Sequence, residues 1–184
     1  MKVSYKPQYL KTSEDLVMDV LKDAIEKYDV QLIRPLRLEK LFYKKLSQLS
    51  GGELQRVAIA NCLSKEADLY LLDEPSAYLD VEERLKMSRI ISDIMHQRGT
   101  ASLIVDHDLL FLDYLSSKLL VFEGEPGIKG TVRGPFSLQE GMNTFLKELD
   151  ITFRRDPETH RPRANKPGSQ MDRQQKSENK LYYL

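Results

Sequence analysis

Two short apolar runs with an amphipathic segment between them limit what this chain can fold into. Asp68 to Asp73 reads Asp-Leu-Tyr-Leu-Leu-Asp. Four apolar residues without alternation suit a strand buried on both faces, as in a parallel sheet. Ala101 to Val105 reads as another apolar strand. Between them Asp80 opens a segment in which Met87, Ile90, Ile91, Ile94 and Met95 recur at helical spacing, and Gly99-Thr100 stops it. Val3 to Tyr9 reads as a short strand stopped at Pro7. Lys118 to Glu123 reads as a further strand, turning through Gly124–Gly130 into a short strand at Thr131–Arg133. Ser137 to Leu149 reads as a final helix. Strands alternating with helices in this rhythm predict an α/β fold with a mostly parallel sheet.

The remaining segments are helical by pattern. Thr12-Ser13-Glu14-Asp15 offers a hydroxyl cap and then acids near the positive end of a helix dipole. Leu16, Val17, Val20, Leu21, Ala24, Ile25 and Tyr28 supply the apolar face that follows. Arg34-Pro35 is a breaker, Leu38 to Leu46 predicts a short helix, and His107 to Leu115 another. At 184 residues the chain suits one domain, or one domain and a tail. Its 28 basic and 28 acidic residues cancel, so whole-chain charge argues neither for nor against nucleic acid. The one cysteine, Cys62, reads as a small core residue, which fits a reducing compartment. No apolar run reaches the roughly 18 residues of a membrane span, and the first residues lack the apolar core of a signal peptide. There is no internal repeat. The expectation is a soluble, cytosolic protein.

Composition shifts at Arg154. From there to Leu184 eight Lys/Arg face four Asp/Glu, with almost no aliphatic residues before the end. Such a segment buries little apolar surface, so it reads either as a disordered tail or as an arm that packs on something. The terminal Leu181-Tyr182-Tyr183-Leu184 favours docking.

Five places carry chemistry. Leu49 to Arg56 reads Leu-Ser-Gly-Gly-Glu-Leu-Gln-Arg, and Leu54, Val57, Ala58 and Cys62 continue it as one apolar stripe. Ser50 stands as an N-cap, and Gly51 and Gly52 leave backbone N–H groups open to an anion; a capped helix after a turn is the plainer reading. Asp73 ends a strand where it can hold magnesium through water, and Glu74 can polarise a water; an ordinary strand ending in acids before Pro75 is the alternative. His107 follows the Ala101–Val105 strand, Gln8 follows the first strand, and Asp80 stands where a helix cap belongs.

The eight residues from Leu49 match, residue for residue, the signature of the ATP-binding-cassette (ABC) ATPases. Beside that motif, Leu69–Glu74 resembles the family's Walker B strand, Ser76-Ala77-Tyr78-Leu79-Asp80 its D-loop, Ile104–Asp108 its histidine switch and Gln8 its Q-loop glutamine. The resemblance implies roles for each: Asp73 and Gln8 toward magnesium, Glu74, His107 and Gln8 toward hydrolysis, and Ser50, Gly51, Gly52, Glu53 and Asp80 toward nucleotide across a two-cassette seam. It implies ATP and Mg2+ as cofactors. One part departs from the pattern: no G-x-x-x-x-G-K-[S/T] loop occurs in the chain, and only seven residues precede Gln8. The expected fold is therefore part of an ABC-type P-loop NTPase domain over residues 1–150, with a helical signature subdomain, followed by a basic tail over 151–184.

Val3–Tyr9, the D-loop, Val105–Asp108, and the tail segments Ile151–Pro157, Arg161–Arg163 and Asn165-Lys166 together resemble the second nucleotide-binding domain of the ribonuclease L inhibitor family of ribosome-recycling ATPases. That resemblance implies a longer protein with iron–sulfur clusters in an N-terminal domain and a first nucleotide-binding domain as partner. It implies further partners in the ribosomal small subunit and a release-factor-like or Pelota-like factor, with no membrane. It places the tail along the hinge between cassettes; its basic residues could instead meet ribosomal RNA phosphates. Two other classes stay open: the ATPase subunit of a membrane transporter, and a non-catalytic interaction fragment.

Overall fold

The computed structural model describes residues 1–125, 127–158 and 162–182. It divides into two compact units, Met1–Leu115 and Ser116–Leu184. Of the tail residues singled out above, Arg161, Tyr183 and Leu184 lie outside the described residues.

The first unit is built on a three-stranded parallel sheet, β1 (Val3–Lys6), β2 (Leu69–Asp73) and β3 (Ala101–Val105), with β2 in the middle. The register pairs Tyr5 with Leu71 and Asp73 with Val105. Helix α3 (Gly51–Ser64) returns the chain from β1 toward β2, and α4 (Val81–Arg98) connects β2 to β3. Both helices send buried side chains into one core. Val57, Ile59, Ala60, Cys62 and Leu63 come from α3, Met87, Ile90, Ile91, Ile94 and Met95 from α4, and Tyr70 and Leu72 from β2. Cys62 is buried and its thiol is pushed up by that burial, as expected of a core residue. Helix α4 begins at an Asp80 cap that accepts from the Glu83 N–H and ends on Gly99 at φ 61°, the left-handed stop the sequence predicts.

Four expectations for the first unit need correction. First, β2 is not buried on both faces. Tyr70 and Leu72 are buried, whereas Leu69 and Leu71 are half-buried. Among the described residues the helices cover one face of the sheet, and the other shows Val3, Tyr5, Leu103 and Val105 to solvent. Second, Thr12–Asp15 starts no helix. Ser13 spends its hydroxyl on Asp15, and α1 (Val17–Val20) begins behind Leu16, anchored by Val17 and Met18 N–H groups donating to Lys44 and Phe42 carbonyls. The helix breaks at Leu21 and resumes as α2 (Lys22–Lys27). The apolar face is right: Val17, Leu21 and Ala24 are fully buried. Third, Leu38–Leu46 forms no single helix but tight turns at Glu39–Leu41 and Leu46–Gln48, which still bury Leu38, Leu41 and Leu46. Fourth, α5 (Leu109–Leu115) starts two residues later than His107, because the Asp108 carboxylate caps it through the Leu110 and Phe111 N–H groups.

In the second unit, β4 (Lys118–Glu125) does not extend the parallel sheet. It pairs antiparallel with β5 (Lys129–Ser137), which is longer than the Thr131–Arg133 segment the sequence suggests. Gly124 makes the close approach possible, since a Cβ there would meet the Lys129 carbonyl oxygen at 2.0 Å. Helix α6 (Leu138–Glu148) starts at Ser137 in a capping box with Glu140.

The basic segment is folded over its described residues. β6 (Phe153–Arg155) and β7 (Pro162–Ala164) form a hairpin, and α7 (Gln170–Ser177) follows. A polar core joins them: Thr152 donates to Asp172 at 2.7 Å, and the Asn165 amide donates to Thr152 at 2.9 Å and also to Gln175. Leu181 and Tyr182 are buried, with the Tyr182 N–H on Asn143 of α6. The disordered-tail reading fails because paired polar groups do here what aliphatic side chains do elsewhere.

Two predictions follow from burial and charge. Leu63→Ala, at a site with no exposure, is expected to cost about 2–5 kcal/mol, and Tyr43→Ala, at 84% exposure, less than about 0.5 kcal/mol, in urea unfolding. The Thr152 hydroxyl and the Gly168 N–H hold the Asp172 carboxyl below its ordinary value. Its stabilisation is thus present above the usual aspartate range and lost as pH falls through the folded value. The protection factor of the Asn165 amide, its exchange rate relative to that of an unfolded amide at the same pH, should fall on acidification, and Asp172→Asn should flatten that dependence.

Candidate functional site

The tip of β2 gathers three of the residues the sequence singles out. Glu74 follows the strand with φ 46°, a left-handed conformation costing about 1–2 kcal/mol for a residue with a Cβ. Its neighbours impose it. The Glu74 N–H donates to the Val105 carbonyl at 2.7 Å, and its own carbonyl accepts from Gln55 Nε2 at 2.8 Å and Lys6 Nζ at 3.2 Å. The carboxylate is thereby brought between β1 and β3. Gln8 Nε2 donates to Glu74 Oε1 at 2.8 Å, and His107 Nε2 lies 2.8 Å from the same oxygen. The His107 ring is open to solvent while Glu74 is largely covered, so a ligand reaches the imidazole first.

Asp73 is half-buried, and its carbonyl accepts from Lys6 Nζ at 2.6 Å. Among the described residues no group of three His, Cys, Asp or Glu side chains comes together to hold a metal. Magnesium held jointly with phosphates needs only one or two protein carboxylates, and the Asp73 carboxylate and the Gln8 amide oxygen are oxygen donors of the kind it takes. Lys6 is 1% exposed, and burial pushes its ammonium down to about 8 against the pull of Asp73, Asp106 and Glu74. Asp106 ties the D-loop to this end of the sheet by accepting from the Ser76 N–H and hydroxyl at 2.9 and 2.6 Å.

The second constellation is the turn before α3. Ser50 is an exposed N-cap at φ −65°, ψ 162°, and its Oγ accepts from the Glu53 N–H. Glu53 returns the bond to the Ser50 N–H at 2.8 Å and pairs with Lys44 at 3.1 Å. These contacts, the Ser50 N–H foremost, hold its carboxyl below the ordinary range. The Glu53 carboxylate is therefore occupied in shaping the turn. Gly51 and Gly52 press against the D-loop. A Cβ on Gly52 would meet the Tyr78 carbonyl oxygen at 2.9 Å, and one on Gly51 the Tyr78 ring at 3.0 Å. Tyr78 itself has φ 62° and is exposed. Arg56 pairs with the Glu83 carboxylate in the first turn of α4, and the Glu83 N–H donates to Asp80 Oδ1 at 2.8 Å, the cap of that helix.

The structure thus brings Gln8, Glu74 and His107 together, and separately Ser50, Gly51 and Gly52 against the Asp80 loop. Lys6 and Gln55 escaped the sequence reading. Their signals were a lysine inside an otherwise short strand and a polar residue on the inward side of the α3 stripe. Gly52→Ala is expected to cost about 1–3 kcal/mol, because backbone cannot move aside as a side chain can. Gly51→Ala should cost much less, since the exposed Tyr78 ring can swing; thermal unfolding of both variants checks this.

Comparison with known proteins bears on these motifs. The ABC transporter family model matches residues 3–77. An uncharacterised ABC transporter ATP-binding protein of Methanocaldococcus jannaschii is 53% identical over 100% of this chain and 32% of its own length. The translation initiation factor RLI1 of Chaetomium thermophilum is 44% identical over 100% of the chain and 31% of its length. This chain spans about a third of the length of these curated relatives. Among solved structures, an RNase-L inhibitor superposes with a TM-score of 0.89 at 50% identity, over 98% of this chain and 36% of that one. An archaeal ribosome recycling factor in complex with the ribosomal stalk protein gives 0.90 at 50% identity, over 100% and 37%. The recycling factor in a ribosome-bound archaeal assembly with Pelota gives 0.93 at 50% identity, over 99% and 32%. With whole-chain similarity to these proteins and the signature, Walker B and D-loop residues in place, the chain belongs to the ribonuclease L inhibitor family of ABC ATPases.

Proposed function

We propose that this chain forms part of an ATP-hydrolysing machine that separates ribosomes into subunits. The observation that carries the reading is the Glu74 carboxylate, held between Gln8 and His107 at the end of β2. A carboxylate so placed can orient and polarise a water, and an exposed imidazole beside it can meet a terminal phosphate. Asp73 and Gln8 would hold magnesium, which when bound would neutralise charge at the phosphates. Ser50, Gly51 and Gly52 present a hydroxyl and open helix N–H groups to the nucleotide of a facing cassette, with Glu53 shaping that turn and Asp80 fixing the D-loop beside it.

In this reading residues 1–150 are the Q-loop-to-switch part of a second nucleotide-binding domain, and 151–184 are its hinge-associated tail. The first nucleotide-binding domain of the same longer protein supplies the opposite half of each site, and iron–sulfur clusters belong to a further N-terminal domain. The solved relatives engage a ribosome with Pelota and a stalk protein. By extension, the small subunit and a release-factor-like or Pelota-like protein are the partners here, in the cytoplasm. No helix among the described residues is long and apolar enough to cross a membrane. A transporter subunit would share the generic motifs, but the similarity to recycling factors runs through the tail as well. A second reading, a non-catalytic interaction fragment, draws on the lack of a G-x-x-x-x-G-K-[S/T] loop in these 184 residues.

Two measurements test the proposal. The purified chain alone is expected to show no steady magnesium-dependent ATP turnover; such turnover refutes the division of labour described. In the longer protein, Glu74→Gln should lower kcat by about 10²–10⁴-fold while ATP binding persists. Subunit splitting followed by sedimentation should fail to recycle in that variant. An unchanged kcat would remove Glu74 from the chemistry and favour the interaction-fragment reading.

A further inference from the structure

We infer that Gln55 and Lys6 are positioning residues that set the direction of the Glu74 carboxylate by holding its backbone carbonyl, and that Gln55 thereby ties the signature helix to the hydrolytic residue. The inference rests on the ATPase reading for its functional meaning, but its geometry stands without it.

The carbonyl of Glu74 accepts two side-chain donors, Gln55 Nε2 at 2.8 Å and Lys6 Nζ at 3.2 Å. Both side chains come from elements far away in sequence, and both are almost wholly buried, at 0% and 1% exposure. Lys6 also holds the preceding carbonyl, that of Asp73, at 2.6 Å. Neither donor touches the Glu74 carboxylate. They act on the peptide plane that follows Cα, and in a left-handed residue that plane decides where the side chain points. A polar group buried this deeply is retained only where it is bonded.

Gln55 is informative because it is held by so little else. Its Oε1 has no hydrogen-bond partner among the described residues. A reversed amide would set that oxygen against the Glu74 carbonyl, two acceptors in contact, so the orientation with nitrogen on Glu74 is the one the site allows. Leucine or methionine would fill the same volume with no orphaned oxygen, and at a position of pure packing either would serve better. The amide earns its place through the Glu74 bond. Five residues earlier on the same helix stands the Ser50 cap, with Gly52 against the Tyr78 carbonyl. One rigid helix therefore carries both the exposed turn and the buried donor to Glu74, and the first cannot shift along the helix axis without pulling on the second.

The test is by NMR on the purified 184-residue chain, without nucleotide. In the unmodified protein a scalar coupling across the hydrogen bond should connect Gln55 Nε2 to the Glu74 carbonyl carbon; its absence overturns the inference before any variant is made. Gln55→Leu should then shift the Glu74 carbonyl and the Gln8 side-chain amide resonances and accelerate Glu74 amide exchange about tenfold, the factor for one lost hydrogen bond. Lys6→Met is the second variant, used if the first does not fold, and should shift the same resonances. Ile59→Val, fully buried on the same helix and outside the hydrogen-bond set, is the control. Unmoved resonances in both variants, or equal movement in Ile59→Val, reduce Gln55 and Lys6 to packing. In the longer protein Gln55→Leu should lower kcat about a hundredfold, as small misplacements of a reacting group do, with KM little changed. These spectra do not depend on hydrolysis. Failure of ATP turnover in the unmodified longer protein would sink the ATPase reading alone, and unmoved spectra in an active enzyme would sink this inference alone.

Discussion

The backbone at the end of β2 is the constraint on which the rest of the first unit depends. A central parallel strand has neighbours on both sides, so its C-terminal tip is fixed by two registers at once. Here Asp73 is paired with Val105, and the next N–H reaches the Val105 carbonyl. The chain must then leave the sheet, and it does so through a left-handed glutamate rather than a glycine. Such strain persists where surroundings over-determine it. Three hydrogen bonds to the Glu74 peptide groups do so, and the outcome is a carboxylate delivered to Gln8 and His107 from the flanking strands. Ligands at the carboxyl ends of parallel strands are the general rule for open α/β sheets, and this tip follows it.

The signature turn obeys a different physics. Nothing there is strained by burial; the turn is exposed and its conformation is local. The capping box fixes the first turn of α3, and Lys44 fixes the carboxylate that closes the box. What makes Gly52 obligatory is not the anion site but the Tyr78 carbonyl lying against it. The D-loop is in turn held by Asp106 through Ser76 and by the start of α4. Signature turn, D-loop and β2 tip are therefore three loops of one packed unit, and a push on one is transmitted by contact rather than by a change of fold.

Much of this was legible in the residues, for reasons that differ by element. The caps at Ser50 and Asp80 and the stop at Gly99 depend on local chemistry, which sequence carries fully, and all three stand where the pattern puts them. The apolar runs fix β2 and β3, and the inner faces of α3 and α4, because period is a local property as well. What sequence did not carry is what depends on contacts made at long range. Ser13 and Asp15 look like a helix start until Lys44 and Phe42 supply the carbonyls that the first N–H groups of α1 use instead. Leu119 and Val121 look like another sheet strand until β5 pairs with β4. The run Leu69–Leu72 promises burial on both sides, but which sides are covered depends on where helices pack. In the candidate site the same division holds: Glu74, His107 and Gln8 are recognisable by motif, whereas Lys6 and Gln55 matter through a carbonyl that no motif mentions.

The basic segment shows why composition is an incomplete guide to order. Few aliphatic residues and an excess of positive charge reduce the hydrophobic drive to fold, and on that count alone 154–184 should be solvated. Order requires only that polar groups leaving water find partners of equal quality. Thr152, Asn165, Asp172 and Gln175 provide most of them across 24 residues of sequence, the buried Asn165 Oδ1 being left without one, and they close a hairpin and a helix around a small polar core, with Asp172 also meeting Lys176. Leu181 and Tyr182 then add the apolar burial that the middle of the segment lacks. A network of this kind is sensitive to the loss of any member, because each partner left behind is a buried unpaired group. It holds one arrangement firmly where a greasy tail would hold several loosely, and that suits a segment tied to helix α6 by the Ile151 N–H on the Leu146 carbonyl and by the Tyr182 N–H on Asn143.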